Sequence, residues 1–259
     1  MGPRDRPRRG IPLRAVAPNA VTALALCFGL SGVRFAISAA GGASGDWEKA
    51  LASILFAGVL DGLDGRIARM LNGESRFGAE LDSLSDVIAF GVSPAIVIYL
   101  WSLQYMPQFG WTFSLAHAVC CALRLARFNA AIDIKEQPHK SAGFLTGIPA
   151  PAGAGLTFLP IYLWLWTGLG IFREWWIVAP WAAVIAFLMV SDIATFSWSA
   201  LKLRHGVRFG ALAGVAILAG ALISAPWATL TVASLAYIAA IPFGIAAYRK
   251  VRQLREATA

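Results

Sequence analysis

Long apolar stretches alternate with short polar segments along almost the whole chain. Runs of about 20 mostly apolar residues are long enough to cross a bilayer as helices. The predicted spans are residues 19–40, 48–72, 78–101, 111–131, 150–170, 175–199, 207–224 and 227–247. The pattern therefore predicts an all-α fold, a polytopic membrane bundle of about eight transmembrane helices.

The basic residues lie mainly in every second connection between these stretches. Nineteen of the 22 Lys and Arg residues occur at the two ends of the chain and in or beside the connections after the second, fourth and sixth predicted spans. Connections rich in Lys and Arg stay in the cytoplasm, so both termini are predicted to be cytoplasmic. The predicted organisation is a basic N-terminal segment (1–17), a membrane domain (18–248) and a basic tail (249–259).

The composition also favours a membrane protein. Hydrophobic residues make up 58% of the 259 residues and charged residues only 14%, whereas soluble domains contain about 25% charged residues. The net charge of +8 suits contact with anionic lipid headgroups. We expect no nucleic-acid binding, because the basic residues are dispersed and show no reader motif. A cleaved signal peptide is an alternative for the N-terminus, but the first apolar run is too long for a typical one.

Four aspartates interrupt the second and third apolar stretches. Asp61 and Asp64 are three residues apart, and Asp82 and Asp86 are four apart, so each pair lies on one face of its helix. Ionised side chains at membrane depth are costly and imply a functional site. Four negative charges cannot remain ionised side by side unless cations lie among them.

The two helices are predicted to form an antiparallel hairpin that turns near Gly73. Asp64 and Asp82 are each nine residues from Gly73, while Asp61 and Asp86 are twelve and thirteen residues away. At about 1.5 Å per residue, the carboxylates should pair at two depths, roughly 13–20 Å from the cytoplasmic end of the hairpin. Ligand sets made only of oxygen favour hard cations, so the pattern predicts two Mg²⁺ or Mn²⁺ ions that clamp a diphosphate.

A proton or cation pathway is the alternative, because transporters also place acids inside the membrane. A transporter does not require the donors for phosphate oxygens that lie beside the acids. These donors are Arg69, Ser75 and Arg76. The residues favour the diphosphate site and leave the transporter as a second hypothesis.

Residues 61–86 follow a longer pattern, D-x-x-D-G-x-x-A-R-x8-G-x3-D-x3-D. This pattern resembles the signature of the CDP-alcohol phosphotransferase family. The resemblance implies an enzyme that transfers a phosphatidyl group from a CDP-linked lipid to an alcohol and releases CMP. It also implies a homodimer in a bacterial cytoplasmic (inner) membrane, with the active site facing the cytoplasm.

The resemblance assigns roles to residues of the hairpin. Asp61, Asp64, Asp82 and Asp86 would ligate the metal ions, and Asp86 would also act as the general base. Small residues would leave space for the cytidine and the diphosphate, and Arg69 and Ser75 would contact phosphates. The implied binding residues for the CDP-linked lipid are Asp64, Gly65, Ala68, Arg69, Ser75 and Gly78.

Three further segments are similar to family members that use CDP-diacylglycerol as the donor and L-serine as the acceptor. They are Phe77–Ala95, Arg124–Asn129 and Phe144–Gly153. The resemblance extends from residue 18 to about 155. The chain departs from it in the first span, where many members have Asn and this chain has Ala25, which leaves Asn19 and Thr22 as polar candidates there.

The acceptor site is predicted from the basic residues at and after the cytoplasmic end of the fourth span. Arg124 and Arg127 are at helical spacing, and a guanidinium group binds a carboxylate such as that of serine at two points. The predicted serine-binding residues are Arg124, Arg127, Asn129 and Lys140. Two alternatives remain open: ordinary cytoplasmic Arg residues near headgroups, and a different acceptor, as in phosphatidylglycerophosphate or phosphatidylinositol-phosphate synthesis.

Two further polar residues lie in predicted spans. His117 is expected to be a satisfied core residue, because it lies in an apolar run without metal-ligand spacing. Asp192 is a lone acid in the sixth predicted span, for which packing against a polar neighbour and a part in catalysis remain equal alternatives.

Overall fold

The structure, a computed structural model, describes residues 13–130, 144–196 and 208–256. Its helices are α1 (Leu13–Ala40), α2 (Asp46–Met70), α3 (Arg76–Asp86), α4 (Ser93–Trp101), α5 (Gly110–Ala130), α6 (Ala150–Thr157), α7 (Leu159–Thr167), α8 (Trp175–Val190), α9 (Arg208–Ser224) and α10 (Pro226–Glu256). Two three-residue strands, β1 (Phe144–Thr146) and β2 (Ala194–Phe196), pair in antiparallel fashion. Apart from this short ladder, the regular structure of the described residues is helical, which confirms the predicted all-α class.

Each of the eight predicted spans overlaps helical structure in the described residues. Within the described ranges, three helices are both long and apolar enough to cross a membrane: Val16–Ala40, Arg76–Trp101 and Pro226–Ala247. Two shorter apolar helices cover Trp175–Val190 and Ala213–Ser224. Large apolar side chains such as Ile223 and Phe243 are exposed, which suits a surface that faces lipid.

The fifth predicted span is two helices, α6 and α7, that meet at Phe158. The sequence explains the break, because Pro160 has no N–H to donate to the carbonyl oxygen of Leu156, four residues earlier. That oxygen accepts a hydrogen bond from the indole Nε1 of Trp181 in α8 instead, at 2.8 Å. A neighbouring helix thus satisfies the backbone group that the proline frees, as is required where water is scarce.

The sixth predicted span ends earlier than expected. The prediction extended it to residue 199, but α8 ends at Val190, because Ser191 adopts an extended conformation with ψ of 154°. The chain then continues into β2, which pairs with β1. Asp192 therefore lies beyond the helix and not within a span, and the prediction that placed it inside one is wrong.

A π-helical segment, Val87–Val92, interrupts the third predicted span directly after Asp86. Such segments widen the helix locally by one residue and are frequent at functional sites. The apolar pattern of this span has no feature that indicates it.

The chain divides into two compact units, Met1–Ala89 and Phe90–Ala259. In the N-terminal unit, α1 packs along α2 and also contacts α3. The buried positions of α1 recur every three or four residues, and most of them carry small side chains. They are Pro18, Thr22, Ala25, Gly29, Gly32, Ala36 and Ala39. Small residues at this spacing let two helix backbones approach closely.

Gly32 marks the closest approach of α1 to α2. A Cβ atom added at Gly32 would lie 2.6 Å from Cγ1 of Ile54 and 2.9 Å from the backbone oxygen of Ala50. A backbone oxygen cannot move aside as a flexible side chain can. The position therefore requires glycine, and the spacing of the two helices depends on it.

The C-terminal unit contains a buried polar group at its centre. His117 of α5 is fully buried, and its Nε2 lies 3.2 Å from the carbonyl oxygen of Phe90. Its Nδ1 lies 3.2 Å from Oγ1 of Thr157 in α6. Both ring nitrogens have partners, as a buried imidazole requires, so the prediction of a satisfied core histidine is confirmed.

The close α1–α2 packing gives a stability prediction. Gly32→Ala should lower the free energy of unfolding by about 1–3 kcal/mol, because the new methyl group overlaps the α2 backbone. The measurement is thermal unfolding in detergent. Gly220→Ala in α9 is the matched control, since a Cβ atom there meets nothing within 4 Å and Ala favours a helix. Equal melting temperatures for the two variants would contradict the packing.

Candidate functional site

The hairpin of α2 and α3 carries the four aspartates. Helix α2 continues through Asp61–Gly65 to Met70, which confirms that Asp61 and Asp64 lie on one helix. The chain reverses through Asn72, which has a φ of 48°. Helix α3 then begins after Ser75, whose Oγ accepts a hydrogen bond of 3.0 Å from the backbone N–H of Gly78. This N-cap fixes where α3 starts and therefore the register of the aspartates that follow.

Three carboxylates from the two helices converge. Oxygen atoms of Asp61, Asp64 and Asp82 all lie within 4.8 Å of one another. Asp64 is buried, with 5% of its surface exposed, and the other two are half-buried. Asp86 lies outside this group of three, and its carboxyl group lies next to that of Asp61. The acidic faces of α2 and α3 therefore meet, as predicted.

The cluster carries negative charge without a basic partner among the described residues. The ion pairs found there, Lys49 with Asp46 and Arg127 with Asp192, involve none of the four aspartates. Two like charges about 5 Å apart repel by about 3 kcal/mol at an effective dielectric constant near 20. Protons or metal ions must therefore offset the charge of this cluster.

The donor set fits a divalent metal ion. Hard cations such as Mg²⁺ and Mn²⁺ prefer oxygen ligands, and carboxylates supply both the oxygens and the charge. Oxygens around one Mg²⁺ are separated by roughly 3–4 Å, and the separations of up to 4.8 Å between these three aspartates are similar. Asp61, Asp64 and Asp82 are thus the residues that could hold such an ion.

A threonine of α1 completes the surroundings of Asp64. The buried hydroxyl of Thr22 donates a hydrogen bond of 2.6 Å to Oδ2 of Asp64. The carbonyl oxygen of Thr22 accepts a 3.3 Å hydrogen bond from Oγ of Ser85 in α3. Thr22 thereby links all three helices of the N-terminal unit. The sequence signal for it was weak: Asn19 and Thr22 are polar residues one helical turn apart in an apolar run.

The small residues beside the cluster have different surroundings. A Cβ atom at Gly65 would meet nothing within 4 Å, so Gly65 borders open space. A Cβ atom at Gly78 would lie 2.8 Å from Oδ1 of Asn19 and 3.2 Å from Oγ of Ser75. Gly78 therefore allows α1 to approach α3 closely. Ala68, on the same face of α2 as Gly65, is half-buried.

The two predicted phosphate contacts lie at the open end of the hairpin. Arg69 is exposed, and its Nε donates a 3.0 Å hydrogen bond to the carbonyl oxygen of Gly65. Ser75 is also exposed and serves as the N-cap of α3. Their exposure leaves both side chains accessible to a ligand.

The predicted serine-binding residues belong to the C-terminal unit, near the end of α5. Arg124 is half-buried there, while Arg127 and Asn129 are exposed. The guanidinium group of Arg127 forms an ion pair with the carboxylate of Asp192. Lys140, the fourth predicted residue, lies outside the described residues.

Comparisons with known proteins agree with this site. The model of the CDP-alcohol phosphatidyltransferase family matches residues 15–189, which include the hairpin. A second model, CDP-alcohol phosphatidyltransferase 2, matches residues 207–242.

Several curated relatives carry the name CDP-diacylglycerol–serine O-phosphatidyltransferase. That of Mycobacterium tuberculosis (strain H37Rv) is 39% identical over 250 residues, which are 96% of this chain and 85% of the relative. The protein of Mycobacterium leprae is 39% identical over 245 residues, 95% of this chain and 79% of the relative. The protein of Helicobacter pylori (strain 26695) is 36% identical over 146 residues, 56% of this chain and 57% of the relative. With its aspartate pattern, its clustered carboxylates and these matches over most of its length, the chain belongs to the CDP-alcohol phosphatidyltransferase family.

Proposed function

We propose that this chain transfers the phosphatidyl group of CDP-diacylglycerol to the hydroxyl group of L-serine, which yields phosphatidylserine and CMP. The observation that carries the proposal is the carboxylate cluster of Asp61, Asp64 and Asp82 inside a region that matches the family. The choice of serine is supported by relatives of that name that align with nearly the whole chain. The alternatives are another acceptor within the family, such as glycerol 3-phosphate or an inositol phosphate, and, less well supported, a cation or proton transporter.

In this proposal Asp61, Asp64 and Asp82 hold Mg²⁺ or Mn²⁺, with two ions bound when Asp86 contributes as well. Bound divalent ions neutralise the diphosphate and polarise the phosphorus for in-line displacement. The chain supplies the carboxylate oxygens and, through the hydrogen bond from Thr22 to Oδ2, fixes the orientation of Asp64. A hydrogen-bond partner that contacts a metal-ligating side chain, but not the metal itself, holds that side chain in place.

Asp86 is the proposed general base. It lies beside the group of three and next to Asp61, a position that suits acceptance of a proton at the reacting centre. The oxygen of the serine hydroxyl forms a bond to the phosphorus of the phosphatidyl group. The bond from that phosphorus to the bridging oxygen of the diphosphate breaks, CMP leaves, and the hydroxyl proton passes to Asp86.

The nucleotide and the lipid phosphate would bind along the open side of the hairpin. Gly65 borders free space there, which suits a bulky group close to the α2 backbone. Exposed Arg69 and Ser75 are available for the phosphate oxygens. Ala68 and Gly78, together with Asp64, complete the proposed binding residues for the CDP-linked lipid.

Serine would bind through its carboxylate at Arg124 and Arg127, with Asn129 and Lys140 as further contacts. Arg127 already pairs with a carboxylate, that of Asp192, which supports a carboxylate as the partner of its guanidinium group. This pairing distinguishes serine from acceptors that lack a carboxylate, because such acceptors offer no carboxylate to the guanidinium groups of Arg124 and Arg127.

The proposed location is the bacterial cytoplasmic membrane, with about eight spans, both termini and the active site on the cytoplasmic side, and a homodimeric assembly. The excess of Lys and Arg in alternate connections supports this orientation. Under this topology the diphosphate site opens to the compartment that contains serine.

The metal site predicts a strict requirement for a divalent ion. Asp82→Asn should reduce activity by at least about 100-fold, because the amide cannot offset the charge of a divalent ion. Chelation should abolish turnover, and added Mn²⁺ or Mg²⁺ should restore it. Glu80→Gln is the matched control, since Glu80 is an exposed acid on the same helix. Full activity in the presence of a chelator would exclude the proposed site.

The hydrogen bond between Thr22 and Asp64 predicts a change in metal affinity. Thr22→Val keeps the side-chain shape but removes the hydroxyl, so the Mn²⁺ concentration for half-maximal activity should rise by about 10-fold or more. Binding of Mn²⁺ measured by electron paramagnetic resonance should weaken in parallel. Thr22→Ser retains the hydroxyl and should keep most of the wild-type affinity for Mn²⁺. Unchanged Mn²⁺ binding by Thr22→Val would show that the contact does not position Asp64.

The acceptor assignment is tested with a panel of alcohols. With CDP-diacylglycerol and Mn²⁺ in detergent, L-serine should react far faster than glycerol 3-phosphate or an inositol phosphate. Ethanolamine should be poor, because it retains the hydroxyl and the amine but lacks the carboxylate. Product formation is followed by release of CMP and by the radiolabel of the acceptor. Equal rates with ethanolamine and serine would exclude recognition through the carboxylate.

The topology is tested by labelling single cysteines introduced at Gly42 and at Gln137 in a variant without Cys27, Cys120 and Cys121. Gly42 lies in the connection after the first predicted span and Gln137 in the basic connection after the fourth. A reagent that cannot cross the membrane should reach the two positions from opposite sides. Labelling of both from the same side would contradict the proposed arrangement.

A further inference from the structure

Asp192 lies in a bend that the backbone holds in place. Helix α8 ends at Val190, and the strand β2 that follows pairs with β1. The N–H of Gly147 donates to the carbonyl oxygen of Ile193 at 2.8 Å, and the N–H of Ile148 donates to that of Leu188 at 3.3 Å. Backbone hydrogen bonds on both flanks of Asp192 therefore hold the bend in place.

Gly147 explains why the bend can pack this closely. Its φ is +69°, in the left-handed region that favours glycine. A Cβ atom there would lie 2.7 Å from the carbonyl oxygen of Met189 and 2.9 Å from that of Ser191. The segment Phe144–Gly153, whose similarity to serine-using members the sequence indicated, thus places the residues around Asp192.

Arg127 reaches this bend from the last turn of α5. Its NH1 donates to the carbonyl oxygen of Val190 at 3.4 Å, and its NH2 pairs with Oδ1 of Asp192. Both terminal nitrogens of the guanidinium group therefore point towards one site, where they meet one carboxylate and one carbonyl oxygen. A free carboxylate offers the same kind of partner.

The pair is open to solvent. The side chains of Arg127 and Asp192 are 55% and 66% exposed, and exposed ion pairs are weak. A carboxylate from solution can therefore exchange with that of Asp192 on the guanidinium group. The apparent affinity of Arg127 for such a ligand is then its intrinsic affinity multiplied by the fraction of Arg127 that is not paired with Asp192.

We propose that Asp192 is an internal competitor for the carboxylate of the acceptor on Arg127, and that it thereby sets the affinity of the enzyme for serine. The inference rests on the proposed function, in which Arg127 binds the serine carboxylate. Asp192 occupies Arg127 while the acceptor site is empty and leaves it when serine binds. The proposed function gives Asp192 no contact with the donor lipid or the metal ions, so its effect should be confined to the acceptor KM.

The test compares full-length variants in detergent with saturating CDP-diacylglycerol and Mn²⁺. Asp192→Asn should lower the serine KM by about two- to six-fold, the range expected when a weak exposed pair no longer competes. The kcat with serine and the residual rate with ethanolamine should not change. L-Alanine, which has the carboxylate and the amine of serine but no hydroxyl, should inhibit competitively with a Ki lowered by the same factor.

Control variants distinguish competition for Arg127 from a general effect of removing a negative charge and from a folding defect. Glu174→Gln removes an exposed acid at the opposite end of α8 and should leave the serine KM unchanged. Asp192→Ser, a second variant without the charge, should reproduce the effect of Asp192→Asn. In the Arg127→Ala background, where no guanidinium group remains to be freed, Asp192→Asn should have no effect.

The outcomes distinguish this inference from the function on which it rests. If Arg127→Ala raises the serine KM but Asp192→Asn leaves it unchanged, Asp192 does not compete and this inference fails alone. If Asp192→Asn raises the serine KM, Asp192 positions Arg127 for binding, which also overturns the inference. If Arg127→Ala leaves the serine KM unchanged, carboxylate binding at Arg127 fails together with the inference. A wild-type enzyme that makes no product from serine overturns the proposed function itself.

Discussion

Repulsion among the carboxylates of the α2–α3 hairpin is the constraint on which the site depends. Asp61, Asp64 and Asp82 place oxygens within 4.8 Å of one another, and no Lys or Arg of the described residues pairs with them. Such a cluster destabilises the fold unless cations or protons are bound. The same repulsion favours the binding of divalent metal ions, because their charge offsets that of the carboxylates. Repulsion among the carboxylates therefore explains both the instability of the cluster without cations and its suitability for metal ions.

Small side chains serve two opposite purposes around this cluster. Gly32 and Gly78 allow α1 to approach α2 and α3, since a Cβ atom at either would overlap a neighbouring atom. Gly65 instead faces open space, where a ligand can lie against the backbone. The approach of α1 brings the hydroxyl of Thr22 to Asp64. Close packing on one side of the acids and free space on the other together define where a substrate can enter.

The sequence predicts the parts of this site that depend on local periodicity. Helical spacing and equal distances from the turn at Gly73 were sufficient to bring Asp64 and Asp82 together. It does not predict features that depend on neighbours distant in the chain. The hydrogen bond of Thr22 joins residues 42 positions apart, and the early end of α8 accompanies pairing of β2 with a strand about 50 residues earlier. Residues 175–190 are almost entirely apolar and suit a helix. Ser191 and Asp192, which follow, are weaker helix formers, and the pairing of β2 with β1 accompanies the end of α8.

The separation of donor and acceptor residues along the chain has a chemical reason. Every CDP-linked alcohol presents the same diphosphate, so one arrangement of carboxylates, that of the N-terminal unit, can serve any of these reactions. Acceptors differ in charge: serine brings a carboxylate, whereas glycerol 3-phosphate and inositol phosphates bring phosphates. Selection between them therefore requires cations outside the aspartate motif. Arg127, which lies in the other unit and already pairs with the carboxylate of Asp192, has the chemistry that such selection needs. In the proposed function, a change of acceptor within the family would involve residues around α5 and the bend after α8, while the aspartates stay the same.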